Sequence, residues 1–588
     1  MFFVEFSDIL KMLGWLGNIN LFLRRRKIKM KKGIICCKTE RGYCFIRSSV
    51  GEKIFVHINN IDKEVYEQLA KGSKVLFDYK ETKEGKSATN VILEPPESPH
   101  GKAVDFSEEQ IREMFGDLAA EDEKRERFSS YFIKTDVYKK IHNFLPIRIL
   151  VAHKGIGKSA VFRMSYLENL KNNVLSIWVK PDDILGIANA EDCADPLEMI
   201  RQWKSGLEEL LVEKVVSNFN ISKDNDTINH ISRNGLKFTE RIGMIVKKVP
   251  EVVDIDAIKK GIVDMYIKNR KIVIYVDDLD RAWNGSKQNI YRISALLNAV
   301  RDMCNETDEL CFRISLRSDV YYLVRTADES TDKIDGNVLW LTWTEHELLA
   351  LLVKRVQSYF DNYISERELL DMNQEEMSIY LNDIMADTFE GSGKWNDTPI
   401  RYIFLSLIRR RPRDLINLCT LAARNANAEG RSLIVTEDWE EVFEQYSSSR
   451  LQDTINEHKY ELPDIERLLL GMKPSHEMKK TDKPFVYDKE RLIRKIEGII
   501  QNGKFYFANN KECTAEELVA FMYKINFLNA RKSVAGGFID RKYFENNKYI
   551  TAKSINFGYD WEVHPAFRWA LYPETRDIFR YTDIPENL

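Results

Sequence analysis

Between residues 33 and 93 the apolar residues come in short runs separated by turn formers. Gly33–Cys37, Arg41–Ile46, Lys53–Ile58, Val75–Tyr79 and Ala88–Leu93 each read as a strand. Five strands so closely spaced predict a small all-β barrel of the OB type. Three prolines within Glu94–Lys102 forbid regular structure and mark a linker. Residues 107–146 carry a helical pattern, and then the pattern changes. Ile147–Val151, Val174–Val179, Lys271–Val276 and Leu310–Asp319 are nearly continuous apolar runs, the signature of parallel strands covered on both faces. Helical stretches lie between them, including a long polar insert before Lys271 and the run Tyr291–Met303. Thr342-Trp343-Thr344-Glu345 reads as a cap that opens an all-helical region through residue 430. In the tail, Glu516–Asn526 is helical. Phe538–Tyr543 and Tyr549–Ser554 read as strands around Asn546-Asn547, and Trp561–Pro565 leads to a final helix.

The predicted organisation is a multidomain chain. Residues 30–94 form the barrel, 95–106 a linker, and 107–345 an α/β unit with a parallel sheet between helices. Residues 346–449 form a helical lid and 450–588 an α+β, winged-helix-like unit. Residues 1–29 are an N-terminal extension. Within it Met12–Leu23 is apolar but too short to span a bilayer, while seven of the nine residues from Arg24 to Lys32 are basic. Such a segment is either a membrane-surface or nucleic-acid arm, or an over-extension upstream of a natural start at Met30. The second reading is the simpler one.

Composition narrows the classes. The chain has 588 residues, 44% hydrophobic and 30% charged, in the range of a soluble globular protein of several domains. A net charge of only −3 excludes a global basic field, so any nucleic-acid site must be local. The eight cysteines include no C-x-x-C pair and the nine histidines no H-E-x-x-H. The cysteines therefore read as reduced thiols of a cytoplasmic protein, with no metal centre beyond one that a nucleotide brings.

The chemistry concentrates after the first buried strand. Ala152-His153-Lys154-Gly155-Ile156-Gly157-Lys158-Ser159-Ala160 follows G-x-x-x-x-G-K-[ST], with Ala152 in place of the first glycine. A strand, a glycine loop and a helix start aim backbone N–H groups at an anion. Lys158 would reach the β- and γ-phosphates of a nucleoside triphosphate, and Ser159 would bind its Mg²⁺. The Lys271–Val276 strand ends in Asp277-Asp278-Leu279-Asp280-Arg281, where ligands of parallel sheets sit. Asp277 would hold Mg²⁺ through water and Asp278 would polarise the attacking water. Arg317 is the candidate reporter of the γ-phosphate, or else it pairs with Asp319 or Asp280. Arg411 and Arg413, in Arg409-Arg410-Arg411-Pro412-Arg413-Asp414, either supply a second arginine contact from the lid or form a solvated basic turn.

These motifs, with Ser315–Asp319, resemble a bacterial P-loop ATPase of the additional-strand type, similar to the STAND and KAP groups, over roughly residues 120–445. The resemblance implies ATP as the nucleotide, a helical lid, and a setting in anti-phage defence with a protein effector. In the barrel, strand alternation puts Tyr43 and Phe45 on one face, with Phe55 and His57 beside them. Four rings there form a stacking platform for unpaired bases, and residues 30–93 carry 12 basic against 8 acidic residues. This stretch resembles a cold-shock domain, with Arg41–Ile46 and Ile54–Ile58 at its two RNA-binding motifs. It departs from the pattern in lacking the aromatic on the first strand, where Cys37 and Lys38 lie, and in having Cys44 for a glycine. A barrel kept only for protein interaction is the alternative.

The expected function is an ATP-binding, slowly hydrolysing switch that senses single-stranded RNA or DNA. The alternatives are an RNA-remodelling motor and a non-hydrolysing scaffold. The expected partners are the nucleic acid, a protein effector and further copies of the chain, without stable membrane insertion.

Overall fold

The structure, a computed structural model, describes residues 31–582 apart from 39–41, 49–52, 62–65, 67–68, 70–73, 83–84, 94–103, 118–122, 189–194, 223–225, 233–235, 282, 284, 328, 392–394, 534–538, 546, 548–557 and 574–581. The expected N-terminal extension, most of the linker and the strand at Tyr549–Ser554 lie outside the described residues.

β1 (Lys31–Lys38), β2 (Tyr43–Ser48), β3 (Lys53–His57), β4 (Lys74–Thr82) and β5 (Gly85–Leu93) close into a barrel in the order β1-β2-β3-β5-β4. Strand alternation decides what faces in. Cys44, Ile46, Ile54 and Val56 are buried, while Tyr43, Phe45, Phe55 and His57 are half-exposed. Cys44 fills barrel interior at 0% exposure, so the thiol at this unusual position packs as a small apolar group. Gly33 has no such latitude: a Cβ there would lie 2.2 Å from the Ile46 side chain and 2.8 Å from the Arg47 carbonyl.

β6 (Ile147–Ala152), β7 (Leu175–Val179), β8 (Ile272–Val276), β9 (Leu310–Arg317) and β10 (Val338–Trp340) form one fully parallel sheet in the order β10-β6-β9-β8-β7. The continuous apolar runs are explained by two cores, one on each face. Leu150, Ala152, Val273, Tyr275 and Cys311 join one; Ile149, Val151, Ile274, Phe312 and Ile314 join the other. The second face is covered by helices of the polar insert and by Lys287–Glu306, through Trp203, Leu207, Ile242, Ile245 and Leu297. Arg313 is a polar exception inside the sheet, fully buried. Its guanidinium donates to the carbonyls of Ile141 (2.6 Å), Leu145 and Phe312 (2.8 Å each), and Asn143, which lets a charge stay in the core.

The first face is closed by α1 (Lys158–Lys171) and by the lid. The lid contains α2 (Glu345–Tyr359), α3 (Pro412–Ala428) and α4 (Thr436–His458). The cap expected before α2 is present: Thr344 Oγ1 accepts from Glu347 N–H at 3.1 Å, and Glu347 accepts from Thr344 N–H at 2.8 Å. The region expected to be all-helical is interrupted by an antiparallel pair, β11 (Thr388–Glu390) with β12 (Asn396–Pro399). Segments of three or four residues leave too little periodicity to be seen in sequence, and Asn396-Asp397-Thr398-Pro399 is poor in strand formers.

The tail forms a four-stranded antiparallel sheet, β13 (Val486–Tyr487), β14 (Leu528–Ser533), β15 (Ile539–Lys542) and β16 (Asp560–Val563), in the order β13-β16-β14-β15. Of these strands the sequence pattern reveals only β15. Helix α5 (Ala515–Lys524) precedes β14. The tail packs on the lid, where the rings of Trp569 and Phe443 lie 4.8 Å apart.

Candidate nucleotide site and nucleic-acid interface

The phosphate loop joins the C-terminal end of β6 to the start of α1. Gly155 (φ 81°) and Gly157 (φ 105°) take left-handed backbone that side chains disfavour, and Gly157 caps α1. Ala152, the departure from the motif, is the last residue of β6, 2% exposed and regular in its pairing with Arg317. A methyl group fits there because this position is strand, not turn. The loop is pinned from outside: Trp343 Nε1–H donates to the Ile156 carbonyl at 2.8 Å, and Arg413 N–H to the Gly155 carbonyl at 3.3 Å.

Lys158, Ser159 and Ala160 open α1 beside the acids that end β8. Burial pushes the Lys158 pKa down, opposed by Asp280, Asp277 and Glu457. Asp277 is buried at 4% exposure and accepts a short hydrogen bond from Ser315 Oγ. Asp278 sits at φ 61°, a strained setting for a non-glycine residue. Burial raises its pKa, and the neighbouring charges of Asp277 and Asp280 raise it further.

Arg317 lies at the end of β9. Its guanidinium grips Asp319 through Nε (3.0 Å) and Nη2 (2.7 Å), faces Asp280 at 3.5 Å, and donates to the Glu457 carbonyl at 2.8 Å. Both salt-bridge partners considered in the sequence are therefore engaged, in a half-buried setting at the cavity wall. Burial works against its charge, but Asp319, Glu457 and Asp280 raise its pKa.

Three of the four arginines of the lid turn have side-chain partners of their own. Arg409 is buried against Asp414 (2.8 Å) and Thr454 (2.8 Å), and Arg410 pairs with Glu345 at 3.1 Å. Arg411 is 3% exposed and donates to the Lys154 carbonyl (3.1 Å) and to Glu457 (3.2 Å), behind the loop. Among them Arg413 lines the cavity. This turn is not a solvated basic patch.

The cavity at the loop holds about 290 Å³ and is lined by Lys154 to Val161, Asp278, Asp280, Arg317 and Arg413. Phe128, Tyr131, Phe132, Ile133, Leu351 and Ile416 supply an apolar wall. The polar set suits phosphates and the apolar set a base. The donor set also fits Mg²⁺, since Ser159 and Asp277 are hard oxygen donors next to the loop. Of the expected residues, Ala152, Asp277 and Arg411 lie off the cavity lining, and so does His153. It is buried, with Nδ1 2.9 Å from Ser318 Oγ and Nε2 2.9 Å from Glu545.

The apolar wall escapes sequence reasoning, and so do Asp280, Trp343 and Glu457 as members of the site. Asp280 and Trp343 stand within the quoted motifs, so their signal is adjacency. Glu457 carries no signal; it is one acid near the end of a long polar helix.

On the barrel, Tyr43 is paired with His57 and Phe45 with Phe55 across β2 and β3. The ring centroids of Tyr43–Phe45, Tyr43–Phe55, Phe45–Phe55 and Phe55–His57 lie 6.0, 5.7, 5.7 and 6.4 Å apart. The Lys53 ammonium lies 4.6 Å from the Phe45 ring centre. All four expected aromatics thus form one face with a cation at its edge. Among the described residues no helix is long and apolar enough to cross a membrane.

Two family models match the chain: the 'cold-shock' DNA-binding domain over residues 31–94, and the FunZ-associated C-terminal helical domain over residues 346–455. Cold shock protein 1 of Lactiplantibacillus plantarum is 34% identical over 64 residues, which are 97% of that protein and 11% of this chain. Cold shock-like protein CspC of Bacillus cereus is 36% identical over 53 residues, 82% of that protein and 9% of this chain. Among solved structures, a Walker-type ATPase of Pyrococcus abyssi is 11% identical and covers 75% of this chain and 95% of its own, at TM-score 0.34. The ORC2 protein of Aeropyrum pernix, in ADPNP–ADP complexes, is 11% identical and covers 75% and 94%, at TM-score 0.36. Through residues 31–94 the chain belongs to the cold-shock domain family.

Proposed function

We propose that this protein is an ATP-binding, slowly hydrolysing switch whose cold-shock barrel binds single-stranded RNA or DNA. The observation that carries the reading is the convergence of Lys158, Ser159, Asp278, Asp280, Arg317 and Arg413 on one cavity at the carboxyl end of a parallel sheet. Ligands of such sheets bind there.

Each role follows from position. The N–H groups of Gly155 to Ser159 and the Lys158 ammonium bind phosphates, and burial depresses the pKa of that amine. Ser159 and Asp277 hold Mg²⁺, which neutralises charge on the phosphates when bound. Asp278, exposed at the cavity and raised in pKa, is placed to orient the attacking water and take its proton. Arg317 and Arg413 face the phosphates and stabilise the charge that develops in transfer. Arg411, buried behind the loop, holds Lys154 in place.

The aromatic face Tyr43, Phe45, Phe55 and His57 stacks on bases, and the local positive charge attracts the backbone. Helix α5 followed by the β14–β15 hairpin supports a winged-helix-like reading of the tail. On the resemblance of its ATPase motifs, the setting we assign is anti-phage defence with a protein effector. Binding of a fluorescent ATP analogue with Mg²⁺, by wild type and Lys158→Ala, tests the nucleotide reading; equal binding by both would refute it.

A further inference from the structure

The last turn of α4 meets the back of the phosphate loop at Glu457. One carboxylate oxygen accepts from the Lys154 N–H at 3.2 Å, and the other accepts from Arg411 at 3.2 Å. The Glu457 carbonyl accepts from Arg317 at 2.8 Å. One residue therefore touches the loop, the lid turn and the arginine at the end of β9. Its side chain is 2% exposed. Burial opposes its charge, yet Arg411, His458, His153 and Arg317 hold its pKa well below the usual carboxylate range.

The same turn reaches the tail. His458 packs edge-on against Phe521 of α5, ring centres 6.2 Å apart, and one turn on, Glu461 pairs with Lys524. On the loop side His153 pairs with Glu545 of the tail. His153, Glu457 and His458 each offer a donor atom, all within 4.8 Å of one another. His153 Nδ1 lies 2.9 Å from Ser318 Oγ and its Nε2 faces the Glu545 carboxylate at 2.9 Å, while both oxygens of Glu457 accept hydrogen bonds and Arg411 balances the carboxylate. With Arg411 pairing the Glu457 carboxylate and Glu545 facing His153, the trio sits in a charge-paired joint between loop, lid and tail. His458 has no hydrogen-bond partner on either ring nitrogen among the described residues. A buried polar group left unpaired is costly, and Arg411 Nε and Nη2 beside it are likewise unpaired.

We propose that Glu457 is a positioning residue: it fixes Lys154, Arg411 and Arg317 for turnover and passes nucleotide occupancy on to the C-terminal α+β unit. This rests on the ATPase reading above. Glu457 does not line the cavity, so it acts through the groups it holds. Its removal should therefore affect the transition state more than ground-state binding.

The test uses the full chain with Glu457→Gln and Glu457→Asp. Steady-state hydrolysis is measured together with hydrogen exchange of residues 515–530, with and without a non-hydrolysable ATP analogue and Mg²⁺. Glu457→Gln is expected to lower turnover by about tenfold while KM moves less than about twofold. Nucleotide slows exchange in 515–530 of the wild type but not of this variant. Glu457→Asp keeps the charge facing Arg411 and recovers part of the turnover. Unchanged turnover in Glu457→Gln would overturn the proposal. So would intact nucleotide protection of 515–530, or a parallel loss of binding and turnover that Glu457→Asp does not relieve. A wild-type chain that binds no nucleotide would overturn both this and the reading it rests on.

Discussion

Arg317 stands directly opposite Ala152 across the β6–β9 pairing, so the last residue before the phosphate loop and the arginine that ends β9 share one level. Its grip on Asp319 uses the planar fork of the guanidinium, which an ammonium cannot reproduce. Arg317→Lys is expected to lower ATP turnover by about tenfold or more while nucleotide affinity stays within about threefold. Parallel hydrolysis and equilibrium-binding measurements check this.

Asp278 offers a clean separation of binding from chemistry. Its φ of 61° suits Asn as well as Asp, so Asp278→Asn removes the proposed base while leaving the backbone where it is. Turnover should fall by about 10²-fold or more, with ATP still bound, and a trapped ATP complex should be isolable by gel filtration. Unchanged behaviour would favour the scaffold reading.

Phe45 sits between Tyr43 and Phe55 with the Lys53 ammonium over its ring. Phe45→Ala is expected to weaken binding of a single-stranded oligonucleotide by about 1–3 kcal/mol. Because the ring is on the outer face, the barrel should keep its melting temperature. Lys53→Ala should instead flatten the salt dependence of binding. Fluorescence anisotropy over a salt series distinguishes the two.

Glu562 predicts an acid limit to stability. It is buried among Arg541, Arg568 and Arg531; burial pushes its pKa up, but the three arginines outweigh this and hold it at about 2. A carboxylate depressed in the folded state stabilises above its unfolded pKa, here 4.5, and loses that contribution as pH falls toward 2. The C-terminal unit should therefore be insensitive to this group above pH 5 and weaken progressively below 4.5. Glu562→Gln should melt lower at neutral pH and lose much of that acid dependence, as thermal melts at pH 7 and pH 3.5 would reveal.

The barrel, the loop and the Asp277 strand were legible because each obeys a short-range rule. Alternation exposes Tyr43, Phe45, Phe55 and His57, glycine marks the turn at Gly155 and Gly157, and a two-face core writes Ile272–Val276 as an unbroken apolar run. What stayed hidden depends on long-range packing. β10 and the β11–β12 pair are too short to carry a period. The tail's β13 and β16 pair only with each other and with β14, far apart in sequence. Arg411 and Arg413 are two residues apart, yet Pro412 starts a helix between them. One points behind the loop and the other into the cavity, a difference composition cannot encode. Glu457 meets Lys154 across 303 positions, beyond any local signal.

The measurement that bears most directly on the account is ATP hydrolysis by the purified chain, with and without single-stranded RNA or DNA, in wild type, Lys158→Ala and Phe45→Ala. Slow basal turnover that nucleic acid stimulates is the expected result. Lys158→Ala should abolish all turnover, and Phe45→Ala should lose the stimulation while keeping the basal rate. Turnover indifferent to both nucleic acid and Phe45 would contradict the coupling of barrel to nucleotide site and make the barrel a protein-docking module.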